Sequence, residues 1–123
     1  SRKVDSLADY RDAFPGITGP IFSRNLRKAF LIDENGTEKG LVFSHRLTGD
    51  RSSLASHDYS ILVYSAHQRK GIGRTVIELL LAQDSDAVFL VPESNEASLA
   101  FFRSQTALSE TETDNLFVFR ANT

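Results

Sequence analysis

The spacing of apolar residues in the first part of the chain predicts helices. Leu7, Tyr10 and Phe14 recur at helical spacing, and the Pro-Gly pair at 15–16 ends that pattern. A second, shorter helix is predicted from Ile21 to Leu26. The chain is therefore expected to begin with helical segments before any substantial strand.

After residue 26 the pattern changes to short apolar runs, which are typical of strands. From residue 57 onward these runs alternate with amphipathic stretches, which are typical of helices. Residues 29–32 and 41–43 read as strands joined by the tight turn Asn35-Gly36, and residues 48–56 read as a polar loop. The remaining elements are predicted as a strand at 57–64, a helix at 74–83, a strand at 87–91, a helix at 95–104 and a strand at 115–119. This order predicts an α/β (α+β) fold with a mixed sheet and helices on both faces.

Composition narrows the class of protein without naming a function. A chain of 123 residues suits a single domain over 1–123, and the net charge of −2 gives no basic field for nucleic acid. The absence of cysteine excludes disulfides and a cysteine nucleophile, and the three histidines lack zinc-motif spacing, so no metal is expected. No apolar run approaches the ~20 residues of a membrane span. We therefore expect no membrane association and a cytoplasmic location.

The most informative segment is the glycine-containing turn between the strand at 57–64 and the following helix. It reads Gln68-Arg69-Lys70-Gly71-Ile72-Gly73-Arg74. The first N–H groups of a helix have no internal partner, and the helix dipole favours an anion there. Glycines allow close approach, and the basic side chains add positive charge. The turn therefore predicts a pyrophosphate site; the alternative is a tight strand-to-helix turn with solvated basic residues.

Two common nucleotide-binding motifs do not fit this turn. Gly71 is not followed by the Gly-Lys-Ser/Thr of a P-loop, and a dinucleotide fingerprint would need glycine where Val76 stands. The pattern Gln68-x-x-Gly71-x-Gly73 after a strand resembles the phosphate-binding motif of the GNAT superfamily of N-acetyltransferases. The buried strand 87–91, then Asn95 and a helix with the aromatic pair 101–102, is similar to the next motif of that family.

The resemblance implies an acyl-CoA N-acyltransferase-like fold, with a mostly antiparallel sheet and acetyl-CoA as co-substrate. In the family the strand before the turn splays from the next strand, and the pantetheine arm lies in the gap. Backbone groups of Leu62 to Tyr64 and the side chain of Asn95 are then expected to bind that arm. The full set of expected cofactor-binding residues is Leu62, Val63, Tyr64, Gln68, Arg69, Lys70, Gly71, Ile72, Gly73, Arg74, Asn95 and Phe102.

The expected chemistry is direct attack of an amine on the thioester, with no covalent enzyme intermediate. His57 stands eleven residues before Gln68, where relatives carry a base, and strand alternation puts it on one face with Tyr59. An exposed loop-end histidine is the alternative. The usual proton-donating Tyr is replaced by Phe102, which has no proton to give. The thiolate then leaves unassisted, or takes a proton from water, or from Tyr59 or Tyr64.

Two further hypotheses stay open beside the enzyme. A non-catalytic acetyl-CoA-binding regulator of a partner protein agrees with the missing Tyr, and a plain α/β interaction domain would leave the turn without a ligand. The acceptor is expected to be an amine-bearing small molecule or peptide, and a homodimer is retained as a hypothesis about assembly. Glu110, Glu112 and Asp114, predicted to lie in a loop, either attract a cationic amine or form a solvated acidic surface.

Overall fold

The structure, a computed structural model, describes residues 3–4 and 25–122. The strands in this part of the chain are β1 (Lys3–Val4), β2 (Leu26–Glu34), β3 (Thr37–Arg46), β4 (His57–Val63), β5 (Val88–Pro92), β6 (Leu108–Thr113) and β7 (Leu116–Ala121). The α-helices are α1 (Ile72–Gln83) and α2 (Glu96–Arg103), and short 3-10 helices cover Gly49–Ser53 and Ser65–His67. The N-terminal helices predicted before residue 25 lie outside the described residues; Leu26 belongs to β2.

The strands form two antiparallel sheets, which confirms the expected α/β (α+β) fold with mostly antiparallel strands; the strand pairs in the described part of the chain are all antiparallel. One sheet has the order β1-β2-β3-β4 and the other the order β5-β7-β6. Strand alternation and the hairpin signal found most strands correctly: the predicted Asn35-Gly36 turn has φ values of 53° and 81°, as a two-residue hairpin turn requires. The consequence for the site is that β4 and β5, which end the two sheets, share no hydrogen-bonded ladder.

The strand β6 was missed, because the predicted acidic loop over Glu110 and Glu112 is in fact part of this strand. Among the described strands, residues 108–113 pair with β7 alone and so form an edge strand, and four of its six residues are exposed. An edge strand exposed on both faces shows no alternation of apolar and polar residues, so pattern analysis gives no signal. The Asp-Asn pair at 114–115 is a sequence signal for a hairpin turn after this strand. The two residues adopt positive φ values of 44° and 64°.

One hydrophobic cluster joins the two sheets and the two described helices. Val76, Ile77 and Leu80 bury one face of α1, and Leu99 and Phe102 bury one face of α2. Phe89 of β5 and Phe119 of β7 are 0% and 1% exposed at the centre of this cluster. Because both helices pack into the same core, their N-terminal ends are fixed relative to the end of β4. None of the helices in residues 25–122 is long and apolar enough to cross a membrane.

Candidate functional site

The edge of β4 that faces β5 carries backbone groups with no strand partner in the described sheets. Hydrogen bonds from Leu47 N to Ser56 O (3.0 Å) and from Tyr64 N to Lys39 O (2.8 Å) fix the register against β3. In an antiparallel pair, alternate residues direct both backbone groups toward the partner strand. The residues between them therefore point their N–H and C=O groups away from β3; these are His57, Tyr59, Ile61 and Val63.

This register decides which backbone groups in the expected pantetheine stretch face the gap. Leu62 and Tyr64 direct their backbone groups to β3, and Tyr64 N–H is bonded to Lys39. Val63 lies between them and faces the gap, where its carbonyl accepts a hydrogen bond of 3.0 Å from Gln68 Nε2. Ile61, which was not among the expected residues, has the same orientation. The alternation of an antiparallel ladder is the signal that could have selected Ile61 and Val63.

The turn after β4 delivers the N-terminus of α1 to the same gap. Gly71 precedes the helix with φ 78°, a left-handed conformation that favours glycine. The first helical bond, from Thr75 N to Gly71 O, is 3.1 Å, and the Thr75 hydroxyl donates to the same carbonyl. The N–H groups of Ile72, Gly73 and Arg74 therefore precede the first intrahelical bond and have no partner within the helix. This is the arrangement that the turn motif predicted for an anion.

A groove of about 950 Å³ connects the end of β4, the turn and α2. Ile61 and Val63 line it from the strand, and Ser98 and Phe101 line it from α2. The turn contributes Gln68, Arg69 and residues 71–74. Gly71 leaves open space where a side chain would start, since an added Cβ meets no atom within 4 Å. Pockets for drug-sized ligands span about 300–1,000 Å³, so the groove has the volume for an extended cofactor.

The two glycines of the turn have different roles. A Cβ added to Gly73 would lie 2.6 Å from the ring of Phe101, so this glycine lets α1 and α2 pack closely. The turn motif predicts Gly73 for close approach of phosphate alone, and the contact with Phe101 is an additional reason for glycine. At Gly71 the requirement is conformational, because its φ is positive and the adjacent space is empty.

The basic side chains of the turn do not all line the same cavity. Arg69 and Arg74 line the groove, and both are exposed. Arg74 Nε also donates to Glu78 Oε1 at 3.2 Å, one helical turn further along α1. Lys70 lines a separate, smaller cavity of about 160 Å³ together with Glu34 and Lys39. The positive charge that a phosphate would meet in the groove therefore comes from the two arginines and the helix terminus.

Asn95 caps the helix α2. Its side-chain Oδ1 accepts a hydrogen bond of 3.2 Å from Ser98 N, and its own N–H donates to Pro92 O at 3.0 Å. This is the usual role of Asn at a helix N-terminus, and it leaves the Nδ2 donors of the exposed side chain for other partners. Ser98, one turn into the helix, lies closer to the groove and was not expected from sequence.

At the opposite end of β4, His57 and Tyr59 meet a carboxylate that sequence analysis did not identify. Asp84, the residue after α1, accepts on Oδ2 from the Tyr59 hydroxyl at 3.1 Å and lies 2.9 Å from His57 Nε2. His57 Nδ1 lies 2.8 Å from Ser56 Oγ. The imidazole also contacts the Tyr59 ring edge to face, at 5.5 Å between centroids. As predicted, His57 and Tyr59 share one face of the strand.

The electrostatics of this cluster favour an ionised Asp84. Burial of the carboxyl pushes its pKa up, but hydrogen bonds from His57, Tyr59 and the Asp86 N–H outweigh burial and hold the pKa below its usual value. Burial, assisted by the neighbouring Asp84 carboxylate, raises the pKa of the Tyr59 phenol despite an opposing contribution from Arg27. No local pattern points to Asp84, because the whole of α1 separates it from His57 in sequence.

Phe102 stands where the family resemblance places a tyrosine, and its ring belongs to the core. It is 7% exposed and lies 5.2 Å from Phe89 and 5.3 Å from Phe119 between ring centroids. One side of Phe102 also borders the groove. The half-buried Tyr64, the other phenol considered as a donor, has a pKa raised by burial and by the Glu38 carboxylate.

The acidic residues near the end of the chain are already partly paired. Glu110 accepts two hydrogen bonds from Arg103, of 2.9 and 3.0 Å. The Arg103 guanidinium also lies 4.7 Å from the centroid of the Phe117 ring. Glu110 is therefore engaged in a bidentate ion pair, which leaves less of its charge for a cationic acceptor. Within residues 25–122, no group of three or more His, Asp or Glu is placed to hold a metal.

Two antiparallel sheets that separate at β4, and a helix N-terminus that faces the resulting groove, define an acyl-CoA N-acyltransferase fold. The sequence profile described as the Acetyltransferase (GNAT) family matches residues 7–106. The match covers most of the chain, and the protein belongs to this family. This confirms the resemblance that the two motifs suggested.

Solved structures with similar folds have little sequence identity to this chain. The ribosomal-protein-alanine N-acetyltransferase from Brucella melitensis superposes with a TM-score of 0.56 at 16% identity, covering 94% of this chain and 74% of that one. A protein described as "a putative phosphinothricin N-acetyltransferase" gives a TM-score of 0.55 at 19% identity, covering 94% and 80%. No curated protein matches the sequence. These likenesses support the fold, and the family profile supports acetyl transfer in general.

Proposed function

We propose that this protein transfers an acetyl group from acetyl-CoA to an amine by direct attack. The observation that carries the proposal is the groove itself, in which the open edge of β4 meets the unpaired N–H groups at the start of α1. The residues fit an acyl-CoA: a polar edge for the amide-containing pantetheine arm, and a helix terminus with Arg69 and Arg74 for the pyrophosphate. The co-substrate supplies a thioester, whose carbonyl carbon accepts the amine.

Each part of the groove has a distinct binding role in this proposal. Ile61 and Val63 offer backbone groups to the arm, as a strand would to its neighbour. Gln68 holds the turn against the end of β4 through its bond to the Val63 carbonyl. The N–H groups of Ile72 to Arg74 bind phosphate oxygens. The amine-bearing acceptor enters where β4 and β5 separate.

His57 is the proposed base. An amine acceptor arrives as an ammonium, and His57 removes one proton to expose the nitrogen lone pair. The carbon–nitrogen bond forms, the carbon–sulfur bond breaks, and the nitrogen gives up a second proton. One proton ends on the departing thiolate and the other reaches solvent. His57 lies four residues before Ile61, roughly 13 Å along the strand at ~3.3 Å per residue, so a chain of water molecules that carries the proton from the amine is part of the proposal.

In this proposal the thiolate takes its proton from solvent rather than from Tyr59. Phe102 has no proton to donate, and the Tyr59 hydroxyl donates to Asp84. A thiol pKa of ~8.5 makes the thiolate a tolerable leaving group. Phe102 is also the observation that favours the second candidate function, a regulator that binds acetyl-CoA without turnover.

The experiment is an acetyl-CoA turnover assay against peptides with free N-termini and against small amines, including aminoglycosides. The two structural neighbours are named for a ribosomal-protein alanine and for phosphinothricin, so both acceptor classes belong in the panel. His57→Ala should lower kcat by about 10²–10⁴-fold, the range for loss of a general base. His45→Ala, on the adjacent strand β3, is the matched control and should change kcat little.

Three outcomes separate the hypotheses. Turnover that depends on His57 supports the enzyme. Turnover that survives in His57→Ala removes His57 from the mechanism. Binding of acetyl-CoA with no turnover on any acceptor supports the regulator.

A further inference from the structure

We infer that Asp84 is the positioning residue for His57, and that it fixes the imidazole so that Nδ1 is its one basic nitrogen. As a statement about catalysis, this rests on the proposed function. As a statement about which nitrogen carries the proton, it stands on the hydrogen-bond geometry and on an ionised Asp84, and it does not depend on turnover. Asp84 lies 2.9 Å from His57 Nε2, and Ser56 Oγ lies 2.8 Å from His57 Nδ1.

The assignment follows from what each partner can donate. An ionised carboxylate only accepts hydrogen bonds, so the contact with Asp84 requires the proton on Nε2. A neutral imidazole has one N–H, and Nδ1 is therefore the acceptor for the Ser56 hydroxyl. The Tyr59 hydroxyl and the Asp86 N–H both donate to Asp84, at 3.1 Å each, and hold the carboxylate in place.

The position of Asp84 gives this contact its rigidity. Asp84 follows α1 directly, its N–H donates to Leu80 O at 2.8 Å, and its carbonyl accepts from Ala87 N at 3.0 Å. The carboxylate is therefore attached to the end of a packed helix rather than to a flexible loop. The His57 and Asp84 side chains are only 23% and 24% exposed, so water competes weakly for their contact.

The consequence is a direction for the proton. The amine's proton reaches the Ser56 hydroxyl through the water chain proposed above, and the hydroxyl passes its own proton to Nδ1 as it takes the incoming one. His57 then carries a positive charge, and the Asp84 carboxylate stabilises it. Release of that proton to solvent through the exposed Ser56 restores the starting state.

The test uses nitrogen-15 spectra of the imidazoles in the full chain, which has three histidines. His57→Gln assigns the signals. In the wild-type protein, His57 should show a protonated Nε2 and an unprotonated Nδ1. Asp84→Asn has the same shape but can donate through its amide, so part of the population should move its proton to Nδ1. Asp86→Asn, which removes a nearby carboxylate that does not contact His57, is the matched control and should leave the spectrum unchanged.

Ser56→Ala should keep the proton on Nε2, because Asp84 sets the tautomer. A wild-type His57 with its proton on Nδ1, or an unchanged tautomer in Asp84→Asn, would overturn the inference. In the turnover assay, Asp84→Asn should lose at least about tenfold in kcat. If the wild type shows no turnover, the proposed function fails while the spectra still decide the role of Asp84.

Discussion

The two ends of β4 carry different kinds of site. At its C-terminal end the proposed binding groups are mainly backbone, from the open edge at Ile61 and Val63 and the first N–H groups of α1, with positive charge added by Arg69 and Arg74. At its N-terminal end the site is made of side chains, where His57 and Tyr59 meet Asp84. The first end is proposed to recognise the shape and the charge that acyl-CoAs share. The second depends on particular residues, and it is where members of one fold can differ in chemistry.

The largest expected effect on CoA binding concerns the backbone end and comes from Gly71→Glu. The substitution puts a carboxylate, on a residue with φ 78°, where phosphate is proposed to bind. Loss of the favourable helix-terminus field and of charged hydrogen bonds together amounts to roughly 3 kcal/mol, or about a hundredfold in the Kd for CoA.

The matched control for this change is Gly49→Glu. Gly49 also has a positive φ, of 60°, with open space around it, but it lies in the 3-10 helix Gly49–Ser53 away from the groove. Its strain should be similar and its CoA affinity unchanged. Equal affinities for the two variants would mean that the groove is not the phosphate site.

A smaller effect on CoA binding should come from Gly40→Ala, which lies on β3 and displaces the end of β4 from that side. An added Cβ would lie 2.1 Å from the Leu62 carbonyl oxygen, so the strand must shift beside Val63. Overpacking of this kind costs about 1–3 kcal/mol of unfolding free energy, which thermal unfolding measures.

Gly36→Ala provides the comparison for Gly40→Ala. Gly36 has φ 81°, and an added Cβ would meet no atom within 4 Å. Backbone strain should therefore lower the unfolding free energy of Gly36→Ala by about 1–2 kcal/mol without moving β4. Only Gly40→Ala should also weaken CoA binding. If both variants bind CoA equally, the geometry of the β4 edge does not control affinity.

These two regions also differ in how well sequence predicts them. The backbone end follows from local spacing, because Gln68, Gly71 and Gly73 are close neighbours and their pattern specifies the turn. Asp84 is far from His57 in sequence and meets it only because α1 returns along β4. Strand β6 was missed for a related reason: its exposed residues show no apolar pattern, and its place is set by pairing with β7.

The side-chain end should show a smaller, pH-dependent effect on stability. The folded pKa of Asp84 is depressed below its usual 3.8, so its contribution to stability is present above that pH and is lost as the pH falls through the folded pKa. The stability difference between the wild type and Asp84→Asn should therefore shrink below about pH 4. Urea unfolding across the acid range measures this difference, and one that stays constant to the lowest pH would contradict the account.

The smallest effect is expected from a charge that belongs to neither region. Glu110 forms a bidentate pair with Arg103 on the surface. Glu110→Gln should leave turnover of cationic acceptors within about twofold, since exposed ion pairs contribute little. A large rise in KM for a cationic acceptor would instead place Glu110 in the acceptor site, and the same assay with a neutral-side-chain peptide shows whether charge is the cause.

The most direct test of the central claim is calorimetric titration of the folded wild-type protein with acetyl-CoA and with CoA. We predict binding in the micromolar range, about −8 kcal/mol, with the groove between β4 and α2 as the site. Tighter binding of acetyl-CoA than of CoA would indicate that the site also contacts the thioester. A folded sample that binds neither compound would contradict the account, and the segment from Gln68 to Gly73 would then be only a turn.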